Sequence, residues 1–338
     1  MTSRFFATLL LAATLMLPST PVQAQRDSAA DPMLALRAFD SRVATIGHRL
    51  AVASLDLCPE RQWRPGVVLH HLSQYSGASR EAAVRAFGLD RGPGVLALAA
   101  GGPGERAGLR PDDILLAVDG VPLPAPANRS FEAMEPLLDA FERAYSDGAA
   151  TLDVLRGGQT LRLEVPAELG CATRFQVIPA QSPDARADGR YVQLHDGLAR
   201  YVRDDSELAA VIAHEFAHNV LRHKARLDAL QVRRGASGNF GRNAILIRET
   251  EVEAERLSVY LLHRAGFDPE AAVRFWTHFG RRGLNFLKSP THPSWRRRIA
   301  LFEEEIRAIR SAEAAGVRPM PGFLPRPVPP VASPGESL

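Results

Sequence analysis

The chain has 338 residues, of which 46% are hydrophobic and 23% charged, so it is long enough for two folded domains and too apolar to be disordered throughout. Its 41 Lys and Arg residues nearly balance its 38 Asp and Glu residues, which argues against an obligate nucleic-acid binder. No stretch approaches the roughly 20 apolar residues that a membrane-spanning helix needs.

The N-terminus has the pattern of an export signal. Arg4 gives a positive start, Phe5–Leu17 is a short uncharged apolar run, and Pro18 ends it. Val22–Ala24 has the small-x-small pattern of a cleavage site. We therefore expect residues 1–24 to be a cleaved signal peptide and the mature chain to work in the periplasm or cell envelope. The alternative is an uncleaved membrane anchor, for which the run is short.

The chain has two cysteines, Cys58 and Cys171, and their spacing is not that of a metal or redox pair. In an oxidising compartment an even number of cysteines favours a disulfide. This bridge would join the two ends of the intervening segment to the rest of the protein. Two unpaired buried thiols are the alternative.

The pattern of residues 85–168 predicts a small module of short strands and tight turns. The predicted elements are strands at Val95–Leu98 and Ile114–Val118, a helix at Phe131–Ala144, and a hairpin of Thr151–Leu155 and Leu161–Val165. The second strand ends in an Asp-Gly pair, which is a strong signal for a tight turn.

This module resembles a PDZ domain of the bacterial protease type. The residues that carry the resemblance are Gly94–Leu96, Ala107–Leu115 and Val118–Gly120. PDZ domains bind an extended peptide as an added strand. The resemblance implies a groove formed by the loop before the first strand, the strand Val95–Leu98 and the helix Phe131–Ala144. A module that only packs against its neighbour is the alternative.

The most informative motif lies in a predicted helix that begins at the N-cap Asp204, with Glu207 as its capping-box partner. Apolar residues recur at helical spacing, so we expect this helix to be buried. His214 and His218 share one face of the helix and Glu215 lies close to both, which is the HExxH arrangement of zinc hydrolases. The motif also occurs by chance, but unpartnered histidines on a buried helix would be costly.

A third metal ligand is needed for this chemistry. The metzincin pattern is excluded, because Leu221 and Lys224 stand where it needs Gly and His. The next acidic cluster lies on a later predicted helix, and from it we predict Glu251 as the ligand. Glu255, one turn on, would orient a ligand histidine, while Glu253 is expected to face solvent.

Three motifs together resemble the HtpX-like and CAAX-prenyl-protease-like zinc metallopeptidases (metallopeptidase family forty-eight), in the exported bacterial branch with a PDZ domain. The matching residues are His214–Asn219, Glu251–Glu255, Thr291–Ser294 and Arg298-Ile299. The resemblance spans roughly residues 170–305 and implies that residues 31–80 form the first helical part of the same domain.

The resemblance implies further site residues. A strand beside the metal helix would pair with substrate along its edge. The residues that fit this strand are Tyr191, Val192, Gln193 and Leu194. Asn219 and Glu255 would support the ligands. His292 would lie near the metal, to stabilise the oxyanion or to cap the metal in a latent form; a plain loop histidine is the alternative. His223 is expected to be a surface or packing residue.

The predicted fold class is α+β. A mostly helical zincin-type peptidase domain with a small edge-exposed sheet occupies residues 169–315, the inserted PDZ-like β-rich domain occupies 85–168, and a Pro-rich disordered tail occupies 316–338. The resemblance implies an endopeptidase with one Zn²⁺ per chain that cleaves unfolded or misassembled envelope proteins. The expected partners are protein or peptide substrates and not nucleic acid; peripheral membrane contact and oligomeric state stay open. The alternative is a PDZ-based chaperone or adaptor with a silent or latent zinc site.

Overall fold

A computed structural model describes residues 32–233, 240–282 and 293–324. The helices in these ranges are α1 Pro32–Ala53, α2 Gly77–Phe87, α3 Pro103–Arg106, α4 Glu135–Ala144, α5 Asp205–Val220, α6 His223–Ala229, α7 Gly241–Arg264, α8 Glu270–Arg281 and α9 Trp295–Ala314. The strands are β1 Arg61–Arg64, β2 Val67–His70, β3 Gly94–Leu98, β4 Ile114–Val118, β5 Ala149–Arg156, β6 Gln159–Pro166, β7 Glu168–Cys171, β8 Arg174–Ile178, β9 Ala185–Ala187 and β10 Tyr191–His195.

These helices and small sheets confirm the predicted α+β class. The predicted signal peptide at residues 1–24 lies outside the described residues, as does most of the predicted tail. Among the described helices, none combines the length and the hydropathy needed to cross a membrane.

Helix α5 is the centre of the largest hydrophobic core. It packs against α1, α7 and α8, and its apolar residues, such as Leu208, Ile212 and Phe216, are fully buried. Because three helices and a sheet surround it, the apolar residues of α5 are spread around the helix rather than confined to one stripe. The prediction of a buried helix at this position is confirmed.

The three-stranded sheet beside α5 has the order β8-β10-β9. Strand β10 is parallel to β8 and antiparallel to β9. The prediction that Tyr191, Val192, Gln193 and Leu194 form a substrate edge is therefore wrong, because both sides of this strand are already paired. The edge next to α5 belongs to β9, whose three residues are too few to show an alternating pattern.

The five-stranded sheet has the order β2-β3-β4-β5-β6, with α4 packed against it through Leu137 and Phe141. Four of the strands and the helix fall within the predicted PDZ-like segment. The edge strand β2 lies before that segment, in a stretch of sequence without a clear strand pattern. The domain limits themselves stay predictions.

The predicted groove strand Val95–Leu98 corresponds to β3, which lies inside this sheet. It pairs with β2 along its length and with β4 at Gly94, so it is not an edge strand of this sheet. The prediction is wrong on this point, because the unpaired edge on the side of α4 belongs to β2. The helix predicted at Phe131–Ala144 is confirmed in its main part as α4.

The predicted disulfide joins Cys58 and Cys171, whose Cα atoms lie 5.3 Å apart. Cys58 lies just before β1, and Cys171 is the last residue of β7, which runs antiparallel to β1 with Arg61 opposite Cys171. The bridge spans 113 positions of sequence. It therefore closes the whole five-stranded module at its base.

Replacing both Cys58 and Cys171 by Ala should lower the free energy of unfolding by about 2–5 kcal/mol, because the bridge restricts a long loop in the unfolded chain. Urea unfolding of the oxidised protein and of the double variant measures the difference. An unchanged midpoint would show that the bridge does not stabilise the fold.

A cavity of about 770 Å³ lies between α1, β2, α4 and β8. Its wall includes Asp40, which is only 8% exposed. Burial, together with the nearby charge of Asp196, raises the pKa of Asp40 to about 7. The fold therefore holds an acidic side chain that is protonated at mildly acidic pH.

The stability of the protein should consequently depend on pH through Asp40. The unfolded chain loses this proton near pH 4 and the folded chain near pH 7, so stability falls as the pH rises from 4 to 7. Asp40→Asn removes this effect, and the variant should exceed the wild type by up to about 4 kcal/mol at pH 8. Denaturation at pH 4, 6 and 8 tests this; a gap between variant and wild type that stays constant with pH would contradict it.

Candidate metal centre

The N-terminus of α5 is held by side chains of its own sequence. Asp204 accepts a hydrogen bond from the backbone N–H of Glu207 at 2.8 Å, which confirms it as the N-cap. The carboxylate of Glu207 accepts from the N–H of Arg203 instead of Asp204, so the predicted capping box is shifted by one residue. Glu207 also contacts the Nε2 atom of His278 at 3.0 Å, which ties α5 to α8.

The two histidines of the motif meet Glu251 from α7. The Nε2 atoms of His214 and His218 lie 3.4 Å apart, and they lie 3.4 and 3.6 Å from the two carboxylate oxygens of Glu251. Donors at about 2.0–2.1 Å from a tetrahedral ion would be separated by about 3.4 Å. The three side chains therefore stand where one metal ion can meet all of them.

The donor set fits zinc. Two imidazole nitrogens and one carboxylate oxygen are the ligands of catalytic zinc sites that keep a fourth position for water. His214 and Glu251 are buried, while His218 is partly open to solvent. These three residues form a possible metal-binding group within the described part of the chain.

Glu255 lies one turn beyond Glu251 and is completely buried. Its carboxylate is 3.6 Å from Nδ1 of His214 and 2.8 Å from the guanidinium of Arg298 on α9. This position agrees with the predicted role of orienting His214. Arg298 is 1% exposed and stacks over the ring of Trp276, so it supplies a fixed positive charge beside two buried carboxylates.

The other ligand histidine has a different neighbour. Nδ1 of His218 lies 2.9 Å from Nδ1 of His223, whose Nε2 lies 3.0 Å from the carboxylate of Glu253. Arg226 also binds Glu253. His223, expected to be a surface or packing residue, is buried and also contacts His218 and Glu253. The expectation that Glu253 faces solvent is wrong. The one signal in the sequence was a third histidine close behind the motif.

The protonation of the site reflects its burial. Burial is the main cause that raises the pKa of Glu215 to about 7. The nearby His214 lowers this pKa, and the charge of Glu251 raises it further. Burial alone would lower the pKa of His214, but the carboxylates of Glu255 and Glu251 raise it to about 10. A metal ion would therefore have to displace a proton from His214.

Asn219 does not support the ligands directly. Its side-chain oxygen accepts a hydrogen bond from the backbone N–H of Gly189 at 2.8 Å, and its amide donates to the carbonyl of Tyr191 at 3.1 Å. Asn219 thus fixes the turn between β9 and β10 against α5. His292 lies outside the described residues, so its role stays a prediction.

Comparison with known proteins places these residues in a family. A profile of Peptidase family M48 matches residues 162–235 and 243–306, and a profile of the PDZ domain matches residues 94–139. The first match includes His214, Glu251 and Arg298.

Two relatives illustrate the similarity. The mitochondrial metalloendopeptidase OMA1 of Schizosaccharomyces pombe is 32% identical over 153 residues, which cover 38% of this chain and 45% of the relative. The beta-barrel assembly-enhancing protease of Yersinia pestis is 33% identical over 137 residues, which cover 31% of this chain and 28% of the relative. The chain thus spans less than half the length of these relatives.

Among solved structures, the HtrA-type protease AlgW with decapeptide is 23% identical, with a TM-score of 0.24, and the match covers 32% of this chain and 30% of that one. So loose a superposition carries no argument. The two family profiles and the arrangement of the metal-site residues agree with one another. This chain therefore carries a domain of peptidase family M48 together with a PDZ domain.

Proposed function

We propose that this protein is a zinc-dependent endopeptidase that hydrolyses peptide bonds of unfolded or misassembled envelope proteins. The observation that carries the proposal is the meeting of three donors, His214, His218 and Glu251, at separations of 3.4–3.6 Å. Glu215 adjoins His214 in sequence and completes the set of groups that peptide hydrolysis needs.

A zinc ion held by these three residues would supply an activated water and polarise the peptide carbonyl. Glu215 accepts the proton of the attacking water and delivers it to the leaving amine. A general base works best when its pKa lies near the working pH, and in the metal-free protein burial raises the pKa of Glu215 toward that range. Glu255 holds His214 in place, and Arg298 balances the charge of Glu255.

Substrate would bind as an extended strand along β9. This strand is the edge of its sheet on the side of α5, and Asp184, which precedes it, is close enough to raise the pKa of Glu215. Pairing through backbone atoms needs no particular side chains. That property suits an enzyme acting on unfolded chains of varied sequence.

The names of relatives, the predicted signal peptide and the disulfide support the substrate class and the location. Relatives carry the name beta-barrel assembly-enhancing protease, which agrees with substrates in the cell envelope. The predicted signal peptide at residues 1–24 and the Cys58–Cys171 bridge agree with an oxidising compartment such as the periplasm. His292 would contribute to the oxyanion site or to a latent closed form.

The PDZ domain would recognise peptides or gate the active site. The cavity of about 770 Å³ is bounded by the free edge of β2 and by α4, which is where an added strand would lie. The same cavity favours a second candidate function, that of a peptide-binding adaptor or chaperone whose metal site is silent. The two candidates differ in whether Glu215 matters.

Glu251→Ala should lower zinc affinity by more than about 100-fold, because it removes one of three ligands. Zinc content after dialysis against a weak chelator measures the change. Glu249→Ala is the matched control, since Glu249 is exposed on the same helix and should leave the zinc content unchanged. Equal zinc in both variants would contradict the ligand set.

Glu215→Gln should reduce cleavage of a denatured protein such as reduced casein by about 10²–10⁴-fold, while zinc stays bound. The loss follows because an amide cannot accept the proton of the attacking water. Mass spectrometry of the products measures cleavage, and Glu249→Ala again serves as the control. Unchanged biological function of Glu215→Gln in cells would favour the adaptor.

A further inference from the structure

The two candidate zinc ligands on α5 have different partners behind their rings. The far nitrogen of His214 faces the carboxylate of Glu255 at 3.6 Å. The far nitrogen of His218 faces a third imidazole, that of His223, at 2.9 Å. His223 is 2% exposed, so the contact takes place away from bulk water.

The chemistry of imidazole gives this contact a direction. A histidine that binds metal through Nε2 carries its proton on Nδ1 and donates it to an acceptor. For His218 the acceptor is then Nδ1 of His223, which must carry no proton. The remaining proton of a neutral His223 lies on Nε2, where the carboxylate of Glu253 accepts it at 3.0 Å.

Glu253 is itself held in position. The two terminal guanidinium nitrogens of Arg226 donate to its two oxygens, and His223 and Arg226 belong to the same short helix, α6. The carboxylate thereby fixes which nitrogen of His223 bears the proton. The position of this carboxylate therefore sets the ring orientation of His223, which in turn sets that of His218.

The backbone brings His223 to this place by a sharp turn. Five residues along an unbroken helix would put it about 140° around the axis from His218. Instead α5 ends at Val220, and Arg222 adopts a left-handed conformation with φ of +53°. A residue other than glycine rarely adopts that conformation, and such strain is concentrated at functional sites. The turn folds α6 back so that His223 covers His218.

We propose that His223 is a positioning residue of the metal centre: it fixes the tautomer and the ring orientation of His218, and through them the zinc affinity. This inference rests on the proposed zinc site. The metal-facing nitrogen of His218 is kept free of a proton because the other nitrogen has a permanent acceptor. Glu253 and Arg226 complete the arrangement.

Zinc affinity of the full chain, measured by competition with a chromophoric chelator, tests the proposal without relying on activity. His223→Leu removes the acceptor and should weaken zinc binding about 10–100-fold. His223→Asn keeps an oxygen that can accept from Nδ1 of His218 and should recover most of the affinity. Glu253→Gln should give an intermediate loss, since an amide orients His223 less firmly.

His278→Leu is the matched control. It also breaks a buried histidine–carboxylate contact to α5, that between His278 and Glu207, but this contact lies nearly two helical turns before the metal-binding motif. We expect its zinc affinity to equal that of the wild type even if its thermal stability falls. A cobalt-substituted protein gives a second readout, because a tilted His218 changes the visible absorption bands of Co²⁺ in the His223→Leu variant but not in His278→Leu.

Several outcomes would overturn the proposal. His223→Leu that binds zinc as tightly as His278→Leu, with the same cobalt spectrum, would show that His223 only fills space. If His223→Leu fails to fold, Glu253→Gln decides instead, and wild-type zinc affinity in that variant would also refute the proposal. A wild-type chain that binds no zinc would refute the proposed function instead.

Discussion

The burial of α5 is the constraint on which the rest of the site depends. A polar side chain taken out of water must be met by a partner of matching chemistry, and α5 carries histidines and a glutamate into the main core. Other helices meet them: Glu251 from α7 and His223 from α6 contact the motif histidines, and His278 from α8 contacts Glu207 nearly two turns before the motif. The same requirement that stabilises the helix thus assembles the candidate active site.

Charge balance extends this requirement to the last helix. Glu251 and Glu255 are 6% and 0% exposed, and two carboxylates so close together need positive charge nearby. Arg298 on α9 supplies one, at 2.8 Å from Glu255 and 3.8 Å from Glu251. A divalent ion between the histidines would supply the rest. The charges of the centre therefore lie on three helices, α5, α7 and α9, that pack together in one core.

The PDZ domain contacts the peptidase domain through charged side chains, and the disulfide joins the two segments that lead into and out of it. Arg174 on β8 binds three carboxylates of α4, those of Glu135, Asp139 and Glu142, at 2.6–2.8 Å. The sheet of β8 and β10 is in turn tied to α5 through Asn219. A peptide lying between β2 and α4 would thus contact a helix that is anchored to the sheet beside the metal centre.

The sequence by itself determined what depends on local periodicity and on residue chemistry: the buried helix with His214 and His218 on one face, the choice of Glu251, and the pairing of the cysteines. Only the tertiary structure decided which strands have free edges, because edges depend on pairing between distant segments. In addition, β2 and β9 are too short to show a strand pattern in the sequence. The contact between His223 and His218 could not be predicted from helical spacing, because the left-handed residue Arg222 ends the helix between them. The role of Arg298 followed only once α9 had packed against α7, since no local pattern links positions so far apart.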